Sequence, residues 1–215
     1  MNFFIFIIMS STISSLFLLS FGDEPTEGFT EITLREENFE LQKPYNIPLE
    51  KRYSFENGTH RLWVYADDKP HDPNSPTQPR TEIRIQGLDY SSGIWQFEGC
   101  AFVPNGTSGA TILQIHGASH GATTIILRIY NGAMRYYSGQ IFVTDLYDKW
   151  FKVNLIHNVD EGKVTVFIDG KQVFETKDQG PGDLHFKCGV YAAPANISYY
   201  MESRWKDIKI YKKVY

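Results

Sequence analysis

Apolar positions in this chain recur at every second residue in short runs, and the runs are rich in β-branched and aromatic side chains. The pattern predicts strands over residues 61–65, 80–86, 94–103, 110–116, 123–130, 150–157, 163–168, 172–175, 184–191 and 205–211, each bounded by Gly, Pro, Asn or Asp. Almost nothing carries a helical period. Asn131-Gly132 and Asp169-Gly170 fall between strand-like runs, and these dipeptides supply the positive φ angles of tight hairpin turns, so neighbouring strands are expected to pair antiparallel. Ten or so strands with no internal repeat and no compositional break predict an all-β fold, a single two-sheet antiparallel jelly-roll β-sandwich over residues 51–215. Residues 23–50 are polar and broken by Pro44 and Pro48, and are read as an irregular arm packed on the domain.

The first 22 residues differ from the rest. Phe3 to Met9 is wholly apolar, Leu16 to Leu19 is apolar again, and no charged side chain precedes Asp23. Ser20 and Gly22 are small residues two apart, so a secretory signal peptide cleaved before Asp23 is expected, and with it an extracellular, cell-wall or vacuolar destination. No later segment is apolar enough to span a membrane. Sequons at Asn57, Asn105 and Asn196 fit export as glycosylation sites. The two cysteines, Cys100 and Cys188, are an even count in an oxidising compartment, which permits one disulfide closing a long loop; two buried thiols are the alternative.

Composition narrows the function classes. An aromatic share of 15% excludes a disordered chain, and 25 acidic against 21 basic residues leave a net charge of -4, which gives no broad field for nucleic acid. The informative signal is local. In Arg80-Thr-Glu-Ile-Arg-Ile85 a period of two sets Arg80, Glu82 and Arg84 on one face; in the run ending at His116, Gln114 and His116 share a face; in Phe186-Lys-Cys-Gly-Val-Tyr191, Lys187, Gly189 and Tyr191 do. If the three strands lie together, the result is a groove suited to an anionic, hydroxylated ligand. The plainer alternative is a solvated polar face on which Glu82 pairs Arg80 and Arg84.

Those three stretches resemble, in order and spacing, the strand motifs of polysaccharide lyase family seven, whose fold is the alginate-lyase jelly roll. Lys43-Pro-Tyr45, Leu62-Trp-Val-Tyr65, Tyr90-Ser-Ser-Gly-Ile-Trp-Gln-Phe97 and Tyr200-Met-Glu-Ser-Arg-Trp205 extend the similarity to plant secreted members of the citrate-binding-protein-like kind, over essentially the whole mature chain. The resemblance implies that Arg80 and Gln114 neutralise a uronate carboxylate, that His116 helps remove the C5 proton, and that Tyr191 protonates the leaving oxygen or serves as both base and acid. It assigns Glu82, Arg84 and Lys187 to the substrate groove. The residue types make chemical sense, since a proton α to a carboxylate leaves only when donors and positive charge stabilise the developing dianion. Ile85 and Ala192-Ala193-Pro194 depart from the bacterial pattern at substrate-contacting positions, which puts alginate itself in question and favours another uronate polymer.

Other clusters are weaker. His116 and His120 are four apart across a strand end, so no metal is expected, nor any cofactor. Tyr136-Tyr137 and Tyr199-Tyr200 are candidate sugar-stacking pairs. The expected partners are an acidic polysaccharide or a small carboxylate, and no second copy of the chain. Three functions stay open: a uronate-polymer lyase acting by β-elimination, a non-catalytic binder of citrate or acidic carbohydrate in the same groove, and a small-molecule proton-transfer or cyclisation enzyme on the same fold.

Overall fold

A computed structural model describes residues 24–194 and 198–214; the expected signal segment and the Asn196 sequon residue lie outside the described residues. The chain forms two antiparallel sheets. In spatial order the first contains β13 (Lys171–Lys177), β12 (Lys163–Ile168), β11 (Trp150–Asn158), β6 (Ile94–Phe102), β15 (Tyr200–Lys213), β4 (Thr59–Tyr65) and β3 (Tyr53–Glu56), and β1 (Phe29–Ile32) pairs with the C-terminal part of β15. The second contains β10 (Ile141–Val143), β9 (Ala133–Tyr136), β8 (Ala122–Tyr130), β7 (Ala110–Ala118), β14 (Gly182–Ala192), β5 (Arg80–Ile85) and β2 (Phe39–Gln42). This is the jelly-roll sandwich that the alternation predicts, and among the described residues no α-helix occurs.

The core lies where the two inner faces meet. Trp205 from the first sheet stands edge-on to Phe97 at 5.6 Å between ring centroids, and Phe97 in turn meets Phe186 from the second sheet at 5.9 Å. All three are essentially excluded from solvent, and truncating such a ring costs about 3–5 kcal/mol. Gly99 makes room for them: a β-carbon there would sit 3.2 Å from both Phe97 and Trp205. The expected hairpins form at Asn131-Gly132 (φ 50° and 75°) and Asp169-Gly170 (φ 50° and 77°), and a third of the same kind at Asn57-Gly58 joins β3 to β4. Asn57 and Asn105, the two described sequon residues, are both exposed.

Two expectations are corrected. The stretch read as irregular contains β1 and β2, one strand for each sheet. Each is only four residues long and half-buried, so neither shows a periodic signal of its own; both exist by pairing with a host strand. The disulfide is absent, and Cys100 and Cys188 are free thiols. Alternation explains this. On β6, Phe97, Gly99 and Ala101 point inward, so Cys100 points away from the sandwich, whereas Cys188 is fully buried in the core on the opposite sheet. A bridge needs Cα atoms within about 7 Å and converging Cβ vectors, which sheets about 10 Å apart with one cysteine facing outward do not offer.

Candidate functional site

Strands β7, β14 and β5 are consecutive neighbours in the second sheet, so the three polar faces do lie side by side. The registers align them: Lys187 sits between Gln114 on β7 and Arg84 on β5, Gly189 faces Glu82, and Tyr191 faces Arg80. One step further along β7, His116 faces His185. On the open side of β5, β2 adds Glu40 opposite Arg84 and Gln42 opposite Glu82. Ile83, Ile85, Leu113, Ile115, Phe186 and Cys188 point the other way and are buried in the core, which holds the polar side chains on the outer face.

Glu82 is the centre of the arrangement. Its carboxylate accepts from Lys187 Nζ at 2.7 Å and Arg80 at 3.2 Å, and from Gln114 Nε2 at 2.5 Å. All four residues are buried, Glu82 completely. This differs from the solvated ladder of Glu82 with both arginines: Arg84 turns instead to Asp89 at 2.7 Å and Glu40 at 3.9 Å. Burial alone would raise the Glu82 pKa, but Lys187 and Arg80, with hydrogen bonds from Lys187 and Gln114, outweigh it and hold the carboxyl below its ordinary range. Burial pulls Lys187 down, against Glu82, which favours its charge. Two cations thus share one anion in a nearly dry setting, leaving an excess of one positive charge, and Arg80 Nε is buried with no hydrogen-bond partner. Such a charge favours the arrival of an anion.

The remaining predicted groups flank this cluster. Half-buried Tyr191 carries the Arg80 guanidinium over its ring, 4.0 Å from the centroid. His116 stands toward the other end, its ring 5.4 Å from that of His185. Burial, then Lys187 and Arg80, lowers the His116 pKa, so its imidazole is neutral near pH 7 and able to accept a proton. His185 is lowered further, to about 4, by burial, Arg84 and His116. Among the described residues no three His, Cys, Asp or Glu side chains gather as a metal site.

Three groups escaped the sequence reading. Arg128 on β8 is buried, donates through Nε to Thr111 Oγ1 at 3.0 Å, and lies in the same row as Tyr191 by way of Thr111. The signal was visible as the one charged residue in the apolar run from Ile125 to Tyr130. His185 alternates in phase with Lys187 along β14, and that spacing is the signal that sets it on the same face. His71, in the loop between β4 and β5, had no signal, because only the folded loop brings it near Arg80 and Lys187.

The comparisons with known proteins agree with this geometry. The alginate lyase family model matches residues 32–212. The chain is 58% identical over 189 residues to a citrate-binding protein of Hevea brasiliensis, covering 88% of this chain and 79% of that one. It superposes on alginate lyase AlgAT5 of polysaccharide lyase family 7 with a TM-score of 0.64 at 16% identity, over 80% of this chain and 93% of that one. With the family 7 alginate lyase AlyA1 of Zobellia galactanivorans the TM-score is 0.57 at 20% identity, over 86% and 84%. A match through nearly all of the sandwich, with the three motif strands adjacent and in register, has one reading: the chain belongs to the alginate lyase family, polysaccharide lyase family 7.

Proposed function

We propose that the protein is a secreted polysaccharide lyase that cleaves a uronate-containing glycan by β-elimination on the outer face of β5, β14 and β7. The observation that carries this reading is the buried excess of positive charge around Glu82 beside a neutral, half-buried His116. Arg80 and Gln114 neutralise the sugar carboxylate and thereby acidify the C5 hydrogen. His116 takes that proton, the C5–H electron pair becomes the C4–C5 double bond, and the C4–O4 bond breaks as Tyr191 protonates the departing oxygen. Incubation with a panel of uronate polymers is expected to produce the ultraviolet absorbance of unsaturated uronate, lost in His116→Ala and Tyr191→Phe. No absorbance from the wild type on any polymer would overturn the lyase reading.

A second reading has its own support. Arg80, Lys187 and Gln114 are all turned toward Glu82, and the 58% identical Hevea relative is named a citrate-binding protein. A binder of citrate or acidic carbohydrate needs charge and donors and no proton shuttle. Calorimetric binding that survives His116→Ala but fails with Arg80→Ala would favour it over catalysis.

A further inference from the structure

The outer face of the first sheet, on the side of the sandwich away from the Glu82 cluster, carries a second group of charged and aromatic side chains that the lyase reading does not use. Ser54, Arg61, Arg204, Phe102 and Trp150 are successive register partners across β3, β4, β15, β6 and β11, so two arginines and two aromatic rings stand in one row. Leu62, Ser203, Ala101 and Phe151, each next in sequence to a member of the row, are buried, which turns the row outward. Beneath the arginines lies Glu202, 2% exposed, which accepts from Arg61 Nη2 at 2.8 Å, from Arg204 Nε at 2.6 Å and from the Tyr200 hydroxyl. These bonds outweigh burial and hold its carboxyl below the ordinary range, so it is charged at neutral pH.

Glu202 fixes both guanidinium groups without using them up. Their side chains stay 44% and 39% exposed, and among the described residues Arg61 Nη1 and both Nη atoms of Arg204 have no partner. An open cleft of about 380 Å³ runs past them, walled also by Ser54, Asn57, Thr59 and Trp150. Trp150 is 40% exposed, and Lys206 Nζ stands 4.6 Å from its ring centroid. Arg61, Arg204 and Lys206 thus bring three positive charges against the one of buried Glu202. The carboxylates at the margins, Glu56 and Asp207, are exposed and act through water, where their pull on the arginines is weak.

We propose that this cleft is a second, non-catalytic binding site for a uronate-bearing polysaccharide chain, with one sugar carboxylate seated on Arg61 and Arg204 and its ring beside Trp150. The spare guanidinium N–H groups match a carboxylate in charge and geometry. The indole offers an apolar seat for the ring, and the Ser54 and Thr59 hydroxyls and the Asn57 amide can donate to or accept from ring hydroxyls. An acidic peptide supplies the carboxylate but no ring hydroxyls for that wall. The site does not depend on the lyase reading, since it asks for no chemistry. It lies on the opposite sheet from Glu82, so the protein can hold one chain here while the other face engages a second.

The test is calorimetry with oligogalacturonate on wild type, Trp150→Ala, Arg204→Gln and Arg80→Gln, with poly-glutamate and maltohexaose as acidic-peptide and neutral-sugar probes. Arg204→Gln leaves Glu202 paired with Arg61, so it should melt near wild type, yet weaken oligogalacturonate binding at the cleft about ten- to a hundredfold, the worth of a hydrogen bond to a charged group. Trp150→Ala should cost about two- to tenfold there. Neither should touch the binding that Arg80→Gln removes. Folded Trp150→Ala and Arg204→Gln that bind oligogalacturonate as wild type does would overturn the site, as would a folded Arg80→Gln that loses all binding. Poly-glutamate or maltohexaose bound as tightly, and lost in the same variants, would overturn the uronate assignment. In protein from a plant host, binding that appears only after Asn57→Gln would mean that the chain's own glycan fills the cleft, and would overturn it too. Binding that Arg80→Gln leaves intact and Arg204→Gln removes would sustain the cleft and count against the carboxylate site at Arg80; wild type that binds no probe would overturn both.

Discussion

Replacing Glu82 by Gln keeps the size and shape of the side chain and removes only its charge. In the native protein that charge is wholly buried and faces Lys187 at 2.7 Å and Arg80 at 3.2 Å, which are themselves 3% and 6% exposed. The variant leaves both cations buried with no anion between them. Breaking one side of a buried ion cluster costs about 3–5 kcal/mol, a large share of the roughly 5–15 kcal/mol by which a domain is stable. The pH dependence fixes the cause. Since the folded-state pKa of Glu82 is lowered, its contribution is complete above the unfolded-state carboxyl value and is lost as pH falls through the folded value. Urea unfolding should therefore show a wide gap between wild type and variant at neutral pH that narrows on acidification. Adding Lys187→Met to Glu82→Gln should recover part of the loss by removing one stranded cation. A variant within about 1 kcal/mol of wild type at pH 7, or a gap that acid does not narrow, would refute the description of Glu82 as the counterion of the cluster.

Three further outcomes follow from the same geometry. Without reductant, alkylation under denaturing conditions should label both Cys100 and Cys188, while the folded protein should protect the fully buried Cys188; failure to label either until reductant is added would restore the disulfide. With its pKa lowered to about 4, His185 leaves the unfolded chain binding more protons than the native one between about pH 4 and the ordinary histidine value near 6.5, so stability rises with pH across that window. His185→Gln should flatten this rise in thermal melts, and an unchanged slope would count against the burial of a neutral imidazole. At Gly189, where φ is +140°, a β-carbon would lie 2.4 Å from Thr81 O and 2.8 Å from Glu82 Cα, so Gly189→Ala should cost about 2–4 kcal/mol and weaken anion binding by displacing β14 from β5; a melt equal to wild type would show that the two strands can part freely.

The elements that announced themselves were those whose own residues decide the outcome. Val164 to Ile168 and Ile94 to Phe102 alternate strongly enough to name their inner faces, and Asn131-Gly132 and Asp169-Gly170 choose their turn type by backbone sterics alone. The faces that carry Arg80, Gln114, His116, Lys187 and Tyr191 were legible for the same reason, but that β7, β14 and β5 are neighbours came only from the family resemblance until the topology showed it. What stayed hidden depends on partners distant in sequence. β1 and β2 are strands because β15 and β5 offer them unpaired backbone, and no four-residue run can advertise that. The choice of Lys187 over Arg84 as the second partner of Glu82 follows from register, since Asp89 and Glu40 are both placed to claim Arg84. The misjudged disulfide came from counting cysteines where alternation along β6 already turned Cys100 outward.

The strand hidden in the N-terminal arm bears on the site more than its length suggests. Without β2, β5 would be the edge of the second sheet, and the side chain of Glu82 would face water on its open side. In high dielectric its attraction for Lys187 and Arg80 would fall several-fold, and neither cation would need to stay nearly dry to keep a partner. By pairing Gln42 with Glu82 and Glu40 with Arg84, the arm turns β5 into an interior strand; Glu40 and Asp89 then draw Arg84 away, so that the buried carboxylate is left to Arg80, Lys187 and Gln114. The residues that follow it fix the loop that carries His71, through the hydrogen bond from the Tyr45 N–H to Pro70 O. A segment that reads as polar filler thus sets the electrostatic strength of the buried cluster around Glu82.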